Sequence, residues 1–160
     1  AGGNSDAITI QVSGSGTYLL NSFSIGGDMD STQTSPLTFQ FKLYSGNTLQ
    51  ANSSMYSQSY SLSLDTSTTI KLFDLATPQV LTRGNVYTLA YGFPQGTSWS
   101  GNKRALVSSE VTTSPTVTTA NGSTATVTIG TPVWNDSDPF DTTNGTTANA
   151  GQFPVIRITI

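Results

Sequence analysis

Asp136, Asp138 and Asp141 put three carboxylates within six residues. Calcium is held by several oxygen ligands from such a cluster, so this stretch is a candidate Ca2+ site. The spacing is not that of an EF-hand, since no glycine stands at the sixth loop position and no bidentate glutamate follows. Asp28 and Asp30 form a second, smaller oxygen pair. Asp and Asn also cap turns with their own side chains, which is the plainer use of both groups. Acid–base chemistry is poorly provided for. The chain has no histidine and no cysteine, so the commonest general base, the thiol nucleophile and the usual transition-metal ligands are all missing. The many serines and threonines have no histidine base, which excludes a Ser-His-Asp arrangement. Glycoside hydrolysis needs two acids facing each other across a cleft. The nine acids here are scattered, Glu110 is the only glutamate, and no pair stands out. The chain is therefore expected not to be an enzyme.

Recognition chemistry is better represented. Trp99 lies among small polar residues between Gln95 and Arg104, with Asn102, Lys103 and Arg104 beside it. An exposed indole can stack on a sugar ring or a partner, although large aromatics more often cover a sheet edge. Trp134, Tyr91 and Phe93 are further candidates for such a platform, with Asn102 and Asp136 as hydrogen-bonding partners. Asn52, Asn121, Asn135 and Asn144 each begin an Asn-x-Ser/Thr acceptor for N-linked glycan, and each is expected in a turn or loop. The hydroxyl-rich runs 112–116 and 142–143 resemble O-glycosylated segments.

These groups sit in a chain of 160 residues, enough for one domain with a real core. Charged residues are only 9%, against about 25% in an average soluble protein. Ser and Thr together supply roughly three residues in ten, well above ordinary usage. The surface must be hydroxyl- and amide-rich, which suits an extracellular or cell-surface, sugar-bearing protein. Six basic residues and a net charge of −3 leave no basic patch for phosphate neutralisation, which argues against nucleic acid. No apolar run reaches about 18 residues, so no membrane-spanning helix is expected. The start at Ala1-Gly2-Gly3 would fit a mature secreted chain cleaved behind a small residue.

The elements that must position these residues are strands. Ile8, Ile10 and Val12 alternate with Thr9 and Gln11, the period-two pattern of a half-buried strand, and Ser13-Gly14-Ser15-Gly16 follows as a flexible tether. Thr17–Ile25 and Leu37–Tyr44 alternate likewise, the second with Leu37, Phe39, Phe41 and Leu43 on one face. Ser45-Gly46-Asn47 is expected to turn it into a hairpin with Thr48–Ala51. Tyr56–Leu64, Thr69–Leu75, Pro78–Leu81, Val86–Phe93 and Ala105–Val111 are predicted next. Val117–Ala120 and Ala125–Ile129 flank Asn121-Gly122, a strong hairpin signal. Pro132–Gln152 reads as a long polar loop, and Phe153–Ile160 as a closing strand. Helical periodicity is absent. About ten strands between turns predict an all-β, two-sheet antiparallel β-sandwich, jelly-roll or immunoglobulin-like, with a tethered N-terminal strand. Residues 1–16 form that strand and tether, and residues 17–160 the sandwich.

Two resemblances follow. Phe39 to Gly46 with Leu49-Gln50-Ala51, and Val80 to Tyr91, resemble the β-sandwich domains of secreted bacterial proteins, many of them on cell-surface or carbohydrate-active proteins. The N-terminal strand with its tether is similar to subunits of extracellular filaments built by donor-strand complementation, in which one subunit's terminal strand completes the next subunit's sheet. That resemblance implies a homopolymer in which Ile8, Ile10 and Val12 are the inserted residues. The resulting expectation is an extracellular structural subunit, glycosylated on its surface. A carbohydrate-binding module or adhesin domain, in which Ala7–Val12 pairs at home, is the alternative.

Overall fold

The computed structural model describes residues 5–27, 37–47, 54–62, 69–92, 117–119, 126–129, 133–135, 146–147 and 156–160. They form strands and turns, with no helix among them. The strands are β1 (Ser5–Val12), β2 (Thr17–Gly27), β3 (Leu37–Ser45), β4 (Tyr56–Leu62), β5 (Thr69–Thr82) and β6 (Val86–Gly92). Five short ones follow: β7 (Val117–Thr119), β8 (Val127–Ile129), β9 (Val133–Asn135), β10 (Thr146–Thr147) and β11 (Ile156–Thr159).

Two sheets pack face to face as a β-sandwich. The larger runs β10-β9-β1-β6-β3-β4, with β8 also against β1. The smaller runs β5-β2-β11-β7. All pairings are antiparallel except β7 with β11. The alternation read from the sequence explains what lies between the sheets. Ile8, Ile10 and Val12 of β1, Phe39, Phe41 and Leu43 of β3, and Tyr87 and Leu89 of β6 meet Tyr18, Leu20 and Phe23 of β2, Leu75 and Leu81 of β5, and Ile156 and Ile158 of β11. Burying each such side chain contributes about 1.5–3 kcal/mol.

The core has an aromatic half. Phe23 stacks on Phe41 at 4.3 Å and on Phe73 at 5.7 Å between ring centroids. Tyr60 stacks on Phe39 at 5.3 Å and meets Phe23 edge-on. These rings draw together β4 and β5, the outermost strands of the two sheets on that side.

From β2 to β6 the order is that of an immunoglobulin sandwich. A three-strand set β4-β3-β6 faces the pair β5-β2, with connections crossing between sheets. In that topology the place beside β6 belongs to the next strand in the chain. Here it is taken by β1, while β11 takes the place beside β2.

Several expectations need correcting. Val117–Thr119 and Val127–Ile129 are not the two arms of a hairpin. β7 lies beside β11 in the smaller sheet and β8 beside β1 in the larger one, because each three-residue strand pairs with an inner strand of a different sheet. Thr69–Leu75 and Pro78–Leu81 are one strand with a bulge, where Leu75 to Pro78 stand opposite Asn21. Pro78 is tolerated because β5 is an edge strand. The hairpin partner of β3 is β4, with Leu43 opposite Tyr56. Thr48–Ala51 and Ala105–Val111 lie outside the described residues. The long polar loop after Pro132 contains β9 and β10, paired Thr146 to Trp134 and Thr147 to Val133.

Candidate functional site

The place occupied by β1 has the most unusual construction. β1 is an inner strand. Its register with β6 runs from Ser5↔Gly92 to Gln11↔Val86. Its other side is shared by β8, opposite Ile10 to Val12, and β9, opposite Ser5 to Ala7. Ile8 and Ile10 are 1% exposed and Val12 is fully buried. The three residues expected to be inserted are thus brought together on the core side of a slot bounded by β6 and by β8 with β9. In the single chain, β1 fills that slot itself.

The link to the rest of the molecule is short and specific. Ser13 to Gly16 carry the chain from the larger sheet to β2 in the smaller one. Gly14 and Gly16 have φ of 103° and 92°, a region other residues enter only under strain. A Cβ at Gly14 would come within 2.6 Å of the Arg83 guanidinium. The tether expected to be loose is a hydrogen-bonded turn. Arg83 donates from Nε to the Ser13 carbonyl at 2.8 Å and from its backbone N–H to the Gly16 carbonyl at 2.9 Å. The Gly84 N–H donates to the Val12 carbonyl at 2.7 Å, and the Gln11 amide donates back to the Gly84 carbonyl. Ser13 and Thr126 exchange two bonds, one through the Ser13 hydroxyl. Arg83 and Gln11 were missed in the sequence, where Arg83-Gly84-Asn85 reads only as a turn.

Three of the other candidates lie on described strands. Tyr91 belongs to β6, its backbone opposite Asp6 and Phe41. Trp134 belongs to β9, opposite Asp6 and Thr146. Asp6 therefore has Tyr91 and Trp134 at the same level on its two neighbours. Asn135 ends β9 opposite Ser5, and so stands in a strand rather than in the expected loop. Asn52, Asn121, Asn144, Trp99, Asn102, Phe93, Asp28, Asp30, Asp136, Asp138 and Asp141 lie outside the described residues. Among the described residues no group of three or more acidic side chains could hold a metal ion. No helix among them is long and apolar enough to cross a membrane.

Two buried phenols, Tyr18 and Tyr44, and the partly buried Tyr60 complete the electrostatic picture. Burial pushes the Tyr44 hydroxyl up to about 12. It pushes Tyr18 higher, with Tyr87 adding to the effect, and Tyr60 higher as well, with Tyr56 and Asp74 adding. The hydroxyls of Tyr18 and Tyr44 have no hydrogen-bond partner among the described residues. Tyr44 is on the face of β3 opposite the core, yet it is fully buried, as are its cross-strand neighbour Thr88 and nearby Ala90. They form a second buried patch, on the outer face of the larger sheet.

No family model matches the chain, and neither a curated protein nor a solved structure does.

Proposed function

We propose that the protein is an extracellular structural subunit, assembled into a filament or surface layer by strand complementation between copies. The observation that carries this reading is the position of β1. The place beside β6, which chain order would give to the following strand, is filled by the first strand of the chain. That strand is joined to the sandwich only through Ser13–Gly16.

A β1 supplied by a neighbour makes the same ladder with β6, β8 and β9 and buries the same Ile8, Ile10 and Val12. Main-chain bonds supply affinity, and the apolar pockets fix register, because a one-residue slip would turn those side chains away from the core. The bonds made by Gln11, Val12 and Ser13 travel with the donor. Only the contact of Gly16 with Arg83 stays with the acceptor. The slot therefore distinguishes poorly between its own strand and a neighbour's, which is the condition for strand exchange. Exchange of this kind is heterologous and propagates from copy to copy. The low charge and hydroxyl-rich surface support an extracellular setting, with Asn52, Asn121, Asn135 and Asn144 as glycan acceptors.

Electron microscopy and light scattering of the full chain test the reading. The expected result is linear oligomers at high concentration, or after thermal unfolding and slow cooling. A variant lacking residues 1–16 should form no linear oligomers and should take up a synthetic peptide of residues 5–12. Full-length protein that forms no linear oligomers through that cycle would overturn it.

A further inference from the structure

Among the described residues β4 is the end strand of the larger sheet, three places from β1. Its geometry follows from the ladder. The Gly46 N–H donates to the Val86 carbonyl at 2.8 Å, continuing the register that sets Ser45 opposite Tyr87. Bonded and non-bonded pairs alternate along an antiparallel ladder. Tyr44, Lys42 and Gln40 therefore aim their backbone groups at β6, and Leu43, Phe41 and Phe39 aim theirs at β4. The partners of those three are Tyr56, Gln58 and Tyr60. It follows that Ser57, Ser59 and Ser61 point their N–H and C=O groups outward, in the plane of the sheet. All three residues are exposed. No hydrogen bond from another described residue takes up these groups.

Natural edges are usually guarded by charge, proline or a bulge. Residues 54–62, Ser-Met-Tyr-Ser-Gln-Ser-Tyr-Ser-Leu, contain no charged residue and no proline. We infer that this edge pairs with the same edge of a second copy, antiparallel about a two-fold axis through Ser59. Three features select a second copy as the occupant. The outward groups fall on alternate residues, so the two-fold sets Ser59 against Ser59 and Ser57 against Ser61 in bonded pairs. Every outward group then finds a partner. The facing side chains on the outer surface are all serine, so nothing charged or bulky opposes its own image. Such a contact is isologous and closes as a pair. In an assembly joined through β1, it would fasten two strands of subunits side by side.

The chain has no cysteine, so one introduced thiol reports the contact cleanly. A Ser59→Cys full-length protein should form a disulfide dimer under mild oxidation at least about tenfold faster than Ser45→Cys, whose exposed thiol lies on β3, because pairing holds the two sulfurs together. Ser57→Cys mixed with Ser61→Cys should cross-link faster than either alone, which fixes the register. Ser59→Lys and Ser59→Glu should each lose the dimer by analytical ultracentrifugation, and their equal mixture should restore it. Cross-linking at Ser59 no faster than at Ser45 would overturn the proposal, as would a Ser59→Lys protein that dimerises like the parent.

Discussion

The two outermost strands on the aromatic side of the sandwich, β4 and β5, are treated in opposite ways. β5 is plugged at points between Asp74 and Thr82. The Tyr60 hydroxyl donates to the Asp74 carbonyl at 2.9 Å, and the Ala76 N–H donates to Gln58 Oε1 at 3.0 Å. Pro78 has no N–H to offer, and the Thr82 N–H is taken by the Tyr87 hydroxyl at 2.8 Å. Gln58 is held in place because its Oε1 also accepts from the Tyr56 hydroxyl. The plugs at Asp74 and Ala76 come from β4, whose own edge has none from the described residues. One edge is thus guarded by side chains of the other, and among the described residues nothing guards the backbone of β4 in return. An unpaired edge is a liability unless something covers it. The contrast marks β4 rather than β5 as the edge available for pairing.

The largest test of this contrast is removal of the aromatic block that brings the two edges together. Phe23→Ala empties a site that is 1% exposed and in contact with four rings. It should cost about 3–5 kcal/mol, read from the urea midpoint. Amide exchange should accelerate in β4 and β5 more than in β1. Equal acceleration in all three would mean that the two halves of the core unfold together and that the aromatic side has no separate role. A smaller effect is expected for Gln58→Ala, which strips the plug from Ala76 and the partner from Tyr56. The loss of stability should be about 1 kcal/mol, the usual net worth of a hydrogen bond. Self-association should rise as β5 becomes a second open edge. No change in association would show that Pro78 and the bulge at 75–78 protect β5 without help.

The strands that carry most of the core were legible in the sequence because period-two alternation and burial are the same fact. Ile8, Ile10 and Val12, Phe39, Phe41 and Leu43, and Ile156 and Ile158 were all placed correctly by it. Alternation fails where a strand is only two or three residues long, as in β9 and β10, since so short a run carries no period. It also says nothing about which strand lies beside which. Asn121-Gly122 has the chemistry of a hairpin turn, but the strands before and after it join different sheets, β7 beside β11 and β8 beside β1. The slot beside β6 was legible only as a tethered apolar strand. The hinge around Arg83 depends on contacts between residues about seventy positions apart, which no local pattern records. The plugs at Gln58 and Tyr60 were hidden for the same reason. The run Tyr-Ser-Gln-Ser-Tyr at 56–60 shows a half-polar strand, not what its inner side chains reach.

Raising the pH tests the plug at Tyr60 without a mutation. An ionised phenolate cannot donate to the Asp74 carbonyl, so the plug requires the neutral form. Burial favours that form in the folded protein and raises the titration above the ordinary value of 10. In the unfolded chain the phenol ionises near 10, so the folded state holds the proton over a range where the unfolded state has released it. The stabilisation is fully present below pH 10 and is lost as the pH rises through the folded value. Tyr18 and Tyr44 act in the same direction, Tyr44 with its loss extending to about 12. The urea midpoint should therefore be flat from neutral pH and fall above 10, and Tyr60→Phe should reduce the fall. Tyr44→Phe separates the plug from simple burial. It removes a buried hydroxyl that has no partner among the described residues, so stability at neutral pH should be unchanged or rise by up to about 1 kcal/mol. The alkaline loss should shrink while the association state stays the same. Tyr60→Phe should instead lower stability slightly at neutral pH and raise association, because it opens a backbone carbonyl on β5. If the two variants behave alike, Tyr60 contributes only as a buried ring, and the side-chain guard on β5 reduces to Gln58 and Pro78.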